Sequence, residues 1–275
     1  MDARGVAHLM EIRIDAVEKS FKRPGSDADL KVFGPVTLHI SPGTFVAIVG
    51  PSGCGKSTLL KMLAGFEKTS TGTLSIGGKR VTEPTPSVGM VFQEYALLPW
   101  KTAQENVELG LKYRGVPESE RKAIGARYVE LVGLKGFEVH YPHELSGGMR
   151  QRCALARTLA TDPEVLLMDE PFGALDAQTR ELLQEQLLKI WGEADLRQSR
   201  KTVLFVTHSI DEAVLLSDRI VIMTARPGRI LKVFDNPLER PRPADVKSCA
   251  EFSRIRQQLW DEMRGETLRA ISQGF

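Results

Sequence analysis

The sequence predicts an α/β fold: a parallel sheet covered on both faces, with a block of helices inserted between two of its strands. Two observations lead there. Three short apolar runs, Phe45-Val46-Ala47-Ile48-Val49, Val165-Leu166-Leu167-Met168 and Val203-Leu204-Phe205-Val206, are bounded by glycine, proline or charge. Wholly apolar strands of this length are what a sheet buried on both faces requires. Helical patterns fill the chain between and after them, most densely over about 103–160, and strands alternating with helices imply parallel pairing.

The elements follow in order. Apolar residues alternate with polar ones through Leu9, Glu11, Ile12, Ile14 and Val17, then through Val36-Thr37-Leu38-His39-Ile40, as in a half-exposed sheet. The buried run 45–49 is followed by a glycine-rich loop that opens a helix through Leu59, Leu60 and Leu63. Helical spacing recurs at 104–113, 119–132 and 149–159. After the second buried run, helices and strands alternate through 178–191, 210–216 and 219–224. Past Phe234 the text changes. Pro237, Pro241 and Pro243 cannot continue a sheet, so 236–243 reads as a linker. Phe252, Ile255, Leu259 and Met263 then recur at helical spacing. They predict one amphipathic helix docked on another surface, most simply this chain's own domain.

Composition narrows the function classes. A chain of 275 residues has room for one or two domains, and 42% hydrophobic with 26% charged residues is ordinary for a globular protein. Lys and Arg number 37 against 35 Asp and Glu, a net charge of +2, which argues against nucleic-acid binding by bulk charge. Cys54, Cys153 and Cys249 are far apart and odd in number, which suits a reducing compartment and neither a disulfide framework nor a metal site. The charge-free stretch 32–55 is broken by Gly34, Pro35, Pro42, Gly43, Gly50 and Pro51, so no membrane helix runs through it. The first residues, Met1-Asp2-Ala3-Arg4-Gly5, do not read as a signal peptide. The expectation is a cytosolic chain with no span of its own.

Chemistry enters at Gly50-Pro51-Ser52-Gly53-Cys54-Gly55-Lys56-Ser57-Thr58, which matches G-x-x-x-x-G-K-[ST] between a buried strand and a helix. Glycines let backbone N–H groups wrap phosphates, and the helix N-terminus adds its positive dipole end. Lys56 brings a point charge to the β- and γ-phosphates, and Ser57 offers a hydroxyl to Mg²⁺. The implication is a nucleoside triphosphate. The run 165–168 ends in Asp169-Glu170-Pro171, where an acid at a strand's C-terminal end faces the ligand crevice. Asp169 can hold Mg²⁺ through water, and Glu170 can polarise the water that attacks the γ-phosphate. A GTPase would carry Asn-Lys-x-Asp, and neither Asn106 nor Asn236 begins one. The cysteine in the loop, Cys54, contributes its backbone, with its thiol a small buried group. His140 and His143 lack further ligands and read as loop residues.

Leu145-Ser146-Gly147-Gly148-Met149-Arg150-Gln151-Arg152 opens a helix, with Ser146 as N-cap and Gly147 and Gly148 permitting close approach to an anion. With this string the chain resembles the ATP-binding subunits of ABC transporters, over about 9–234. The resemblance rests on the phosphate loop, on Gln93 in Val91-Phe92-Gln93-Glu94 (similar to the Q-loop), and on the signature 145–149. It rests also on the acid pair, on Ala174-Leu175-Asp176 (similar to the D-loop), and on His208 in Val206-Thr207-His208 (similar to the switch histidine). It implies an ABC-type P-loop NTPase core with an antiparallel N-terminal β subdomain and an inserted helical subdomain at about 100–160. Residues 235–275 follow as linker and C-terminal helix.

The same resemblance implies roles. Two copies close head to tail on ATP and Mg²⁺, each signature (Ser146, Gly147, Gly148) completing the other copy's site, with Asp176 joining the protomers. Gln93 senses Mg²⁺ or the attacking water, His208 contacts the γ-phosphate, and Phe21 stacks on adenine, with Phe33 as its competitor. Met149 stands where the family most often has Gln, so an amide able to reach the partner's nucleotide is lost. The tail after Phe234 is too short for a regulatory barrel domain. Leu97-Leu98-Pro99-Trp100, Phe172-Gly173-Ala174-Leu175-Asp176 and Ala225-Arg226-Pro227-Gly228-Arg229-Ile230 look like the nitrate, sulfonate and taurine group of bacterial importers. Leu187-Leu188-Lys189-Ile190-Trp191 leans toward its taurine members. That implies an ATPase on the cytoplasmic face of the inner membrane, with a separate permease and a solute-binding protein, and without nucleic acid. A non-transport ABC ATPase of the repair or translation type is the alternative, but it would carry tandem modules or long insertions, and none is visible.

Overall fold

In the computed structural model, residues 10–22, 29–192 and 201–272 are described; Leu9 and most of the loop 24–30 lie outside them. In chain order the elements are β1 (Ile12–Lys22), β2 (Asp29–Ile40), β3 (Phe45–Val49), α1 (Lys56–Leu63), β4 (Thr71–Ile76), β5 (Lys79–Arg80) and β6 (Val88–Val91). The helices α2 (Ala103–Tyr113), α3 (Glu118–Leu131) and α4 (Gly147–Ala160) follow. Then come β7 (Val165–Asp169), α5 (Ala177–Gly192), β8 (Thr202–Val206), α6 (Ile210–Leu216), β9 (Arg219–Met223), β10 (Ile230–Asp235) and α7 (Ala250–Ser272).

The alternating N-terminal segments form an antiparallel sheet in the order β2-β1-β4-β5. The apolar runs form a second sheet, β10-β9-β3-β8-β7-β6, parallel except for its edge strand β10. Every residue of β3, β7 and β8 is buried, and the period of two divides them between two cores. Phe45, Ala47, Leu166, Met168, Val203 and Phe205 face α5, α6, α7 and the helical lobe. Val46, Ile48, Val165, Leu167, Leu204 and Val206 face α1 and the antiparallel sheet. Continuous apolarity was the correct signature because neither face meets water.

The helices begin where their caps dictate. Thr102 and Glu105 make a capping box at α2, and Ser146 and Ser209 cap α4 and α6 by accepting from the third backbone N–H onward. The helix α2 packs on α3 and α4 to form the inserted lobe. The buried Asn106 amide ties the lobe's entrance, accepting from Leu98 N–H and donating to the carbonyls of Leu98, Lys101 and Thr102.

The proline-rich segment 236–243 has no regular structure, as expected, yet it is not a free linker. Side chains at alternate positions turn inward onto the C-terminal end of α6. Asn236 donates to the carbonyls of Val214 and Ser217, and Leu238 is buried. Arg240 pairs with Asp218 at 2.7 Å and lies over the Trp191 ring. Arg242 donates to the carbonyls of Val214, Leu215, Ser217 and Leu238. The prolines occupy the exposed positions between, where a missing N–H costs nothing. Beyond this strap, Phe252, Ile255, Leu259 and Met263 of α7 join the chain's own core, each worth about 1.5–3 kcal/mol of burial. Among the described residues, no helix is long and apolar enough to cross a membrane.

Candidate functional site

The loop between β3 and α1 lies at the C-terminal edge of the parallel strands, where an α/β sheet opens a crevice. Gly55 is its hinge. At φ +99° it adopts a conformation that a side chain would oppose, and a Cβ there would stand 2.5 Å from the Phe33 ring. Phe33 is fully buried beneath the loop. The Lys56 ammonium is fixed by the carbonyls of Gly50 (2.7 Å) and Pro51 (2.8 Å), which hold it at the loop. The Cys54 thiol is buried, and burial pushes its pKa up, so it is an inert packing group.

A cleft of about 420 Å³ opens in front of this loop. Ser52, Gly53, Gly55, Lys56, Ser57 and Thr58 line it, together with Phe21, Leu30, Val32, Gln93, Glu170, His208 and Arg226. Ser57 donates to Asp169 at 2.9 Å. Burial pushes the Asp169 carboxyl up, and the neighbouring Glu170 adds to it, while the Ser57 hydroxyl pulls the other way. A hydroxyl and a carboxylate side by side are hard oxygen donors, so the pair fits Mg²⁺, which takes few protein ligands and completes its shell with phosphate oxygens and water.

Glu170 sits at φ +49°, an uncommon conformation for a residue with a side chain. Its backbone is held on both sides: its N–H donates to Val206 O, and its carbonyl accepts from Gln151 of α4. The carboxylate lies 2.5 Å from His208 Nε2 and accepts from the Gln93 amide at 3.4 Å. Three polar groups from the segments just after β7, β8 and β6 thus converge on one point. The His208 turn has its own support. Thr207 donates to the buried Glu212 and accepts from Ser209 N–H, and Gln184 of α5 also donates to Glu212. An acid so placed can accept a proton from a water beside a bound phosphate.

Not every residue singled out in the sequence lies in this cleft. Ser146, Gly147 and Gly148 are outside it, with Ser146 accepting from Met149 N–H at the start of α4. Asp176 is elsewhere too, accepting from Thr179 N–H as the cap of α5, which holds its carboxyl below the usual range. Between the two aromatics, Phe21 is the one at the cleft, 39% exposed, with the Lys19 ammonium 4.5 Å from its ring centre. Sequence reasoning had no reason to place Leu30, Val32 and Arg226 there. Arg226 reaches the cleft from the β9–β10 turn, and the string 225–230 had been singled out only for its likeness to an importer group.

Known proteins resemble this chain over most of its length. The ABC transporter family model matches residues 33–173. An uncharacterized ABC transporter ATP-binding protein of Methanocaldococcus jannaschii is 45% identical over 262 residues, 95% of this chain and 94% of that protein. An aliphatic sulfonates import ATP-binding protein of Bacillus cereus is 47% identical over 252 residues, 91% of this chain and 94% of that one. Among solved structures, a dimeric ATP-binding cassette in a post-hydrolysis state with ADP and Pi matches with TM-score 0.74 at 32% identity. It covers 83% of this chain and 100% of its own.

Proposed function

The chain belongs to the ABC transporter ATPase family and hydrolyses ATP, and on that premise we propose that it powers import of aliphatic sulfonates through a separate membrane permease. The observation that carries the ATPase part of the reading is the convergence of Lys56, the Ser57–Asp169 pair and the Glu170–His208–Gln93 cluster on one cleft.

In this reading Phe21 stacks on the adenine. The N–H groups of the loop and Lys56 take the β- and γ-phosphates. Ser57 and Asp169 would hold Mg²⁺, which would supply positive charge against the phosphate oxygens. Glu170 takes a proton from water as its oxygen attacks the γ-phosphorus, and the bond to the ADP oxygen breaks. His208 orients Glu170 and meets the γ-phosphate, while Gln93 reports the occupied site toward the permease. Ser146, Gly147, Gly148 and Asp176 lie away from the cleft, which supports a head-to-tail pair in which a second copy supplies them. Dimeric cassettes among the similar structures support the same arrangement. The pair works at the cytoplasmic face of the inner membrane, and a solute-binding protein delivers the substrate outside.

The sulfonate assignment is supported by the names of several relatives at 46–47% identity. Its test is ATPase activity of the chain reconstituted with permease and solute-binding protein in liposomes. Alkanesulfonates should raise turnover, with taurine and nitrate as comparison arms. Stimulation by nitrate alone, or by none of the three, overturns the sulfonate reading.

A further inference from the structure

We propose that Arg226 is a nucleotide-positioning residue and that α7 sets its position, so that the C-terminal helix is part of the ATP site. The inference rests on the reading that this cleft binds ATP, and it concerns a turn to which that reading assigns no role.

The turn after β9 is wedged against the phosphate loop. Arg226 lines the cleft, and its Nε donates to the Gly53 carbonyl at 3.1 Å. Two residues on, a Cβ at Gly228 would stand 2.1 Å from the Cys54 carbonyl, so only glycine lets the turn lie this close. Gly228 is also pinned to β2, donating to Val32 O and accepting from Gly34 N–H, each at 2.9 Å. The turn therefore touches the loop at two successive carbonyls. A guanidinium there serves two ends. It holds the Gly53 peptide, which orients the following N–H groups toward phosphate, and it adds positive charge to a cleft that receives a polyanion.

The other side of the turn is held by α7. Ala225 N–H donates to Glu266 Oε2 at 3.0 Å, and Glu266 is buried beneath the turn. A backbone N–H bonded to a buried carboxylate is a charge-assisted contact that fixes both partners. The order of contacts is thus Glu266, Ala225, Arg226, Gly53. A shift of α7 moves the peptide that precedes Arg226 and, through it, the phosphate loop.

The experiment measures ATP and ADP affinity by calorimetry, with steady-state ATPase kinetics, on the full chain. Wild type and Lys56→Ala are the references. Arg226→Ala should raise Kd for both nucleotides about tenfold, with the loss falling on KM more than on kcat. Arg226→Lys, which keeps charge but lacks the planar fork, should fall between. Glu266→Ala should weaken binding in the same direction, about threefold, Glu266→Gln should restore most of it, and the double variant should be no weaker than Arg226→Ala alone. Should Arg226→Ala melt early, Arg226→Lys carries the test. Wild-type affinity in the Arg226 variants overturns the role of that residue, and full additivity of the two alanine variants overturns the link to α7. Wild type that binds no ATP would instead overturn the functional reading beneath both.

Discussion

Lys56 illustrates how one side chain does its work through where it is held. Its ammonium is bonded to two carbonyls of its own loop, so the charge is aimed before any phosphate arrives. Lys56→Ala should therefore weaken ATP binding by about a hundredfold or more, measured by calorimetry, while melting stays near wild type. Retained affinity would count against the loop as the phosphate site. Met149, which departs from the family's usual residue, still supplies the backbone N–H that donates to the capping Ser146 hydroxyl, so the start of α4 does not depend on the missing amide. At this scale the phosphate loop and the acid pair could be singled out because each is a short string with its own chemistry, whereas His208 was singled out through the family resemblance. Arg226 was not, because its proximity to Gly53 comes from a turn distant in sequence.

Among the elements, the strap 236–243 shows what pattern reading misses. Three prolines argue correctly against sheet and helix, but they say nothing about the residues between them. The C-terminal end of α6 leaves carbonyls unpaired, and Arg242 meets three of these backbone oxygens as a buried cation near the negative end of the helix. Burial lowers its pKa to about 10, so it is charged at neutral pH. Arg242→Ala would leave the Leu215 carbonyl without this donor and the Val214 and Ser217 carbonyls with Asn236 alone, and we expect a loss of about 2 kcal/mol in denaturant unfolding of the full chain. A loss below about 0.5 kcal/mol would mean that water replaces the guanidinium. The short strands β4 to β6 were likewise invisible. β4 and β5, with threonine, glycine, lysine and arginine, carry little apolar signal, and β6 is only four residues long; they form because β1 offers a ladder to β4, β4 to β5 and β7 to β6.

For the whole molecule, the separation between the cleft and residues 146–148 and 176 makes a prediction of its own. If a second copy supplies them, blocking hydrolysis should trap the pair. Glu170→Gln should bind ATP, lower turnover by about a thousandfold, and run as a dimer with ATP on size exclusion. Undiminished hydrolysis removes Glu170 from the base role, and a monomer with ATP bound counts against the head-to-tail pair.

By itself the sequence determined the two-faced parallel sheet, the phosphate loop at its edge and the family. Those features are local: a strand's burial is written in its apolar run, and a phosphate loop in its glycines and lysine. Only the tertiary structure decided which aromatic stands at the cleft, that 236–243 is a strap, that the β9–β10 turn reaches the phosphate loop and that α7 reaches that turn. These depend on packing between segments far apart in the chain, where burial and hydrogen-bond satisfaction of the whole select the contacts and no single stretch carries the signal.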